Sequence, residues 1–97
     1  MLTYVSLLKW TAQGIKNVKD TTKRAQAAQT GIEKAGGRLV TLLWTQGRYD
    51  LVTVAEFPDE NTAMAWTISL AVQGNVTTET LRAFTAADMD GILGKVS

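Results

Sequence analysis

The segment Thr45-Gln46-Gly47-Arg48-Tyr49-Asp50 constrains the fold of this chain more than any other, because it joins two apolar runs through a short glycine-bearing loop. Two strands so connected form an antiparallel hairpin. Residues 38–45 and 50–57 are those strands. What flanks them then determines the architecture.

Upstream, residues 2–9 are rich in β-branched and apolar side chains and read as a first strand. Thr11 can cap a short turn through Ile15 and Val18, which Gly14 weakens. Asp20 stands where the N-cap of a helix over 21–35 belongs. Along that helix Ala25, Ala28, Ile32 and Ala35 recur at helical spacing, and Gly36-Gly37 ends it. Its alanines predict close packing on a sheet. Downstream, Pro58 breaks the hairpin and Asp59 caps a second helix that runs to about Gln73 and stops at Gly74-Asn75. Residues 76–84 form a fourth strand. Thr85-Ala86-Ala87-Asp88 has the form of a capping box and opens a short tail helix carrying Met89, Ile92 and Leu93. The order β-α-β-β-α-β in one domain, residues 1–97, predicts an α+β, ferredoxin-like arrangement. Its antiparallel sheet has order 4-1-3-2, both helices lie on one face, and a C-terminal helix follows.

Composition excludes more chemistry than it suggests. A net charge of +1 leaves no clustered excess of Lys and Arg for phosphate binding, so nucleic acid is not an expected partner. The absence of cysteine rules out disulfides and thiolate chemistry. The absence of histidine removes the commonest metal ligand and the usual neutral-pH base. No metal or cofactor is expected. No run approaches membrane-spanning length and the apolar start lacks a basic leader, so a cytoplasmic protein without membrane partners is the expectation. Asn75-Val76-Thr77 matches a glycosylation sequon that has meaning only on secretion. Asp88-Met89-Asp90-Gly91 fails as a calcium loop, because alignment on Gly91 puts Ala86 and Ser97 where ligands are required.

Two surfaces are too apolar for a monomer. Between Asn61 and Gln73 the second helix carries no charge, and Met64, Trp66, Ile68, Leu70 and Val72 spread around its circumference. It needs a partner, or the tail helix folded back over it. In the second strand Val40, Leu42 and Trp44 alternate with Leu39, Thr41 and Leu43, so both faces are apolar. Homodimerisation by packing of one sheet on another fits these patterns.

Four blocks carry a family resemblance. They are Tyr4-Val5-Ser6-Leu7-Leu8-Lys9-Trp10-Thr11-Ala12-Gln13-Gly14, Gly36-Gly37-Arg38, Gly47-Arg48-Tyr49-Asp50, and the stretch from Gly74 through Phe84. In this order they resemble the GYD-domain family, small proteins with a dimeric α+β barrel fold and no assigned activity. A shorter likeness, confined to the glycine, Tyr-Asp and apolar strand, is to the effector-sensing domains of Lrp/AsnC-type regulators. There the motif helps shape a small-ligand site at a subunit interface. The likeness includes no DNA-binding domain and is an analogy of fold.

Tyr4, Arg48, Tyr49, Asp50 and Arg82 are the candidate ligand-binding residues. Tyr49 can donate a hydrogen bond and Asp50 can accept one, or Gly47 and Asp50 can simply tie the hairpin. The start of the third strand is expected near the start of the first and the end of the fourth, which would gather Tyr4, Asp50 and Arg82 and let Asp50 pair with Arg82. Thr78, Thr80 and Arg82 form a polar row that lines a wet cavity or a solvated edge. Trp10, Trp44 and Trp66 read as core or interface anchors, and Lys16, Lys19, Lys23 and Arg24 as a solvated basic face. The leading expectation is a homo-oligomeric domain binding a small molecule in a cavity at or near the dimer interface, between the sheets of two protomers. The alternatives are a cofactor-independent enzyme, monooxygenase- or isomerase-like, and a purely structural module. No catalytic residue is assigned.

Overall fold

Strand β1 (Leu2–Trp10) occupies the centre of a four-stranded antiparallel sheet and pairs on one side with β3 (Leu51–Phe57) and on the other with β4 (Val76–Ala83). Strand β2 (Arg38–Trp44) is the outer partner of β3, giving the order β2-β3-β1-β4, which is the predicted 4-1-3-2 read from the other edge. The computed structural model describes every residue, 1–97. Three helices complete the βαββαβ frame: α1 (Ala12–Lys16), followed by a 3₁₀ turn at Val18–Asp20, α2 (Thr21–Lys34), and α3 (Glu60–Val72). A tail helix α4 (Ala86–Leu93) ends the chain. No helix is long and apolar enough to cross a membrane.

Local chemistry explains the helix starts. Thr11 caps α1 by accepting from the Gly14 N–H, and Asp59 caps α3 by accepting from the Thr62 N–H at 2.7 Å. Thr85 and Asp88 form the anticipated reciprocal capping box at α4. Backbone N–H donors hold the Asp59 and Asp88 carboxyls below the usual carboxylate range. Asp20 stands at the N-cap of α2, but its side chain makes no cap bond; the preceding 3₁₀ turn has already fixed that backbone.

Register separates the two faces of the sheet. Leu8, Leu51, Ala55 and Phe57 point toward α2 and α3, where Phe57, Ala55, Ile32 and Ala63 make a small core with Tyr4, Leu39 and Trp66 at its edge. Only eight of 97 residues are buried, so the helices do not seal the whole sheet. The residues of α2 that face the sheet include Ala25, Ala28 and Gly31, and these are only partly buried. Such short side chains leave space above the sheet rather than the close packing that the alanines predicted.

Outward from the core, α3 exposes Met64 at 59%, Ile68 at 51% and Val72 at 80%. The tail helix does not cover them. It has no extensive packing against any other element and leaves Met89, Ile92 and Leu93 exposed, while the chain spans 51 Å in its longest dimension. The sheet face opposite the helices carries Val5, Leu7, Val52 and Val54, with Leu43 and Leu81 both exposed.

Candidate functional site

A cavity of about 310 Å³ lies between the sheet and the α2–α3 pair. Its floor is set by strand register. Thr53 pairs with Ser6 and Ser6 with Thr80, so three hydroxyl residues cross β3, β1 and β4 in one row. The Ser6 and Thr80 hydroxyls lie 3.0 Å apart, within hydrogen-bonding distance. On one side of this row lie Leu51, Leu8 and Thr78, and on the other Ala55 and Tyr4. The floor is therefore a hydroxyl row flanked by largely apolar side chains, with the hydroxyl of Thr78 added at the β4 edge. Trp66 and Leu70 of α3 and Ala25, Ala28 and Gly31 of α2 form the roof. Trp66 presses so closely on Gly31 that a Cβ there would lie 2.7 Å from the indole. The helices meet at that point, and the cavity opens beyond it.

The space thus lies within the single chain, on the helix side of the sheet, whereas the sequence leads to the expectation of a cavity between two sheets. Its cause is the run of small residues on α2, too short to reach the floor. Trp10 and Trp66 are cavity walls. Trp44 lies at the end of β2 and donates through Nε1 to the Thr21 hydroxyl at 3.1 Å.

Of the five candidate residues, only Tyr4 lines the cavity. Its ring meets Phe57 edge-on, with centroids 6.1 Å apart. Arg82 is cross-strand neighbour to Tyr4 and lies between two rings, 5.6 Å from the Tyr4 centroid and 4.5 Å from that of Phe84. Its Nη1 donates to the Thr3 carbonyl at 3.1 Å and to the Ala83 carbonyl, which fixes the join of β4 to the tail.

Asp50 does not approach Arg82. Because β3 is antiparallel to β1, its first residue, Leu51, pairs with Leu8 near the end of β1, while Arg82 pairs with Tyr4 near its start. About five residues of strand, roughly 17 Å at ~3.4 Å each, separate the two levels. Asp50 Oδ2 instead accepts from the Trp10 N–H at 2.9 Å, and the Asp50 N–H donates to the Leu8 carbonyl at 2.8 Å. Thr45 closes the loop, its N–H on the Asp50 carbonyl and its hydroxyl on the Tyr49 carbonyl. Gly47 holds φ +109°, a conformation that side chains disfavour. The motif is a clamp that fastens the hairpin to the end of β1.

Tyr49 extends the clamp across the sheet. Its hydroxyl donates to Glu79 Oε2 at 2.5 Å, and the Arg48 guanidinium sits 5.7 Å from its ring centroid. The bond to Glu79 raises the phenol above its ordinary range. A tyrosine serving as a base near neutral pH would need the opposite shift. In the Tyr4→Phe background, absorbance at 295 nm is expected to show Tyr49 ionising above the normal phenol range, with Glu79→Gln returning it toward that range. An unshifted Tyr49 in the parent would refute the contact.

Ser6, Thr53 and Arg24 are not residues that the sequence marks out for a site. The hydroxyl row becomes visible only when register aligns the three strands. In the sequence Arg24 belongs to a basic run expected to be solvated; Lys16, Lys19 and Lys23 are exposed as expected, but Arg24 is half-buried and lines the cavity. No cluster of three or more carboxylates, histidines or cysteines converges anywhere in the chain.

Residues 4–93 match the model of the family described as GYD domain. The fold is similar to that in the crystal structure of TTHA0845 from Thermus thermophilus, at 25% sequence identity and a TM-score of 0.55, covering 89% of this chain and 96% of that one. No curated protein matches the sequence.

Proposed function

The chain belongs to the GYD domain family, and on that footing we propose that it is a cytoplasmic, homodimeric module that binds a small molecule within each protomer. The observation that carries this reading is the cavity between sheet and helices, with a hydroxyl row on its floor and apolar walls. Pockets that bind small molecules are mostly apolar with a few placed polar groups. No carboxylate lines this one, which supports binding over general acid–base catalysis. Tyr4 is the candidate from the sequence that serves the ligand directly; Arg82 supports it, and Arg48, Tyr49 and Asp50 hold the hairpin that forms one end of the frame.

The second copy belongs on the open face of the sheet. Val5, Leu7, Val52, Val54, Leu43 and Leu81 give that face an apolar centre, with Arg38 and Glu56 paired at 3.0 Å near its edge. Sheets pack face to face through such surfaces about 10 Å apart.

A metabolite panel read by thermal unfolding tests the ligand. A compound at about 100 times its Kd stabilises the native state by about 2.7 kcal/mol. Thr78→Phe, which fills the cavity from an edge strand, should abolish that response; persistence of the full shift would place the ligand elsewhere. For the dimer, light scattering should give twice the chain mass for the parent and a folded monomer for Val52→Lys. A monomeric parent would refute the pairing.

A further inference from the structure

The cavity carries one charged side chain. Among the residues that line it there is no Asp, Glu, Lys or His, and Arg24 alone is ionised at neutral pH. Arg24 lines the cavity together with Trp10, Thr21, Gln73 and Asn75. It is placed there by two backbone bonds: Nη1 donates to the Asn17 carbonyl at 2.8 Å and Nη2 to the Gly14 carbonyl at 3.4 Å. Those contacts fix the guanidinium without neutralising it. Arg38–Glu56 is the only salt bridge in the molecule, so no carboxylate offsets Arg24. A guanidinium has five N–H donors in a rigid fork suited to a carboxylate, and two are in use here.

Resting on the binding reading above, we propose that the cavity selects a monoanionic ligand with an apolar, ring-sized body, whose carboxylate pairs with Arg24. The body lies between the Trp66–Leu70 roof and the Leu8–Leu51 floor, with any hydroxyl or carbonyl substituent over the Thr53–Ser6–Thr80 row. A cation is disfavoured twice: it meets Arg24, and it finds no acidic partner on any wall. A neutral molecule of the same shape gains the apolar contacts and lacks the charge-assisted bond.

The test uses three probes of one shape: 2-naphthoate, 2-naphthalenemethanol and 2-naphthylmethylammonium, titrated calorimetrically into the parent, Arg24→Gln and Arg24→Lys. The parent is expected to bind the carboxylate at least tenfold more tightly than the alcohol and the ammonium more weakly than either. Arg24→Gln should remove the carboxylate preference while leaving the alcohol within twofold, and Arg24→Lys should keep part of the preference. Since Arg24 also ties the Asn17 and Gly14 carbonyls, alcohol binding reports whether the cavity survives each substitution. Equal binding of alcohol and carboxylate by the parent, or equal weakening of both by Arg24→Gln, overturns the anion assignment while leaving the cavity as a binding site. Failure of all three probes to bind the parent overturns both.

Discussion

Replacing Gly14 by alanine is expected to destabilise the protein by about 3 kcal/mol, within the range of overpacking in tight sites, and to lower the unfolding midpoint by roughly 12–24 °C. The added Cβ would lie 2.0 Å from the Asn75 carbonyl oxygen, a backbone atom with little freedom to withdraw. That oxygen accepts from the Thr11 N–H at 3.1 Å, the Thr11 hydroxyl donates to the Gly74 carbonyl at 2.6 Å, and Gln13 Nε2 reaches both the Gln73 carbonyl and the Asn75 side chain. The exit of β1 and the entry of β4 are stapled there, and the methyl group would pry them apart. Gly91→Ala is the control. It lies in α4 with nothing within 4 Å of its would-be Cβ, so that variant should be neutral or gain up to about 1 kcal/mol of helix propensity. Differential scanning calorimetry of both variants checks the pair, and equal midpoints would remove the steric argument.

Phe57→Ala is expected to cost about 3–5 kcal/mol, the range for truncating a buried aromatic residue. Phe57 is 3% exposed and touches each part of the small core: Tyr4 on β1, and Ile32 and Ala63 on the two helices. With so few residues buried, no other cluster can compensate. A domain of this size holds about 5–15 kcal/mol in total, so the loss takes a large share of its stability. Urea unfolding should show the midpoint displaced accordingly, with Phe57→Leu retaining most of it because volume is largely kept. A midpoint unchanged in Phe57→Ala would mean that the core lies elsewhere.

The two predictions also mark the boundary of what the chain discloses before it folds. Residue by residue, Gly14 reads as a weak spot in a short helix; only its packing against Asn75 makes it indispensable. Phe57 reads as one apolar strand residue among several until register turns it toward Ile32 and Ala63. The candidate site follows the same division. Tyr4 is a candidate through its expected meeting with Asp50 and Arg82; it lines the cavity, with Arg82 as its cross-strand neighbour and Asp50 far away. Asp50 and Arg82 come together only if β1 and β3 begin at the same end of the sheet, which their antiparallel pairing forbids. Arg24 belongs to a basic run whose three lysines are exposed; it alone is half-buried, held by the Asn17 and Gly14 carbonyls of the preceding turn.

Local rules were sufficient for the elements, their order and their ends. The hairpin at Gly47, the caps at Thr11, Asp59 and Thr85, and the βαββαβ order with its sheet topology all rest on interactions within a few residues or on connection rules that prune alternatives. The sequence by itself determined those features. Tertiary structure alone decided which strand ends meet, that Asp50 clamps β1, that the alanines of α2 leave a cavity, and that Ser6, Thr53, Thr80 and Arg24 surround it. These depend on the mutual placement of side chains distant in sequence, and neither hydropathy period nor capping chemistry specifies which of them share a face.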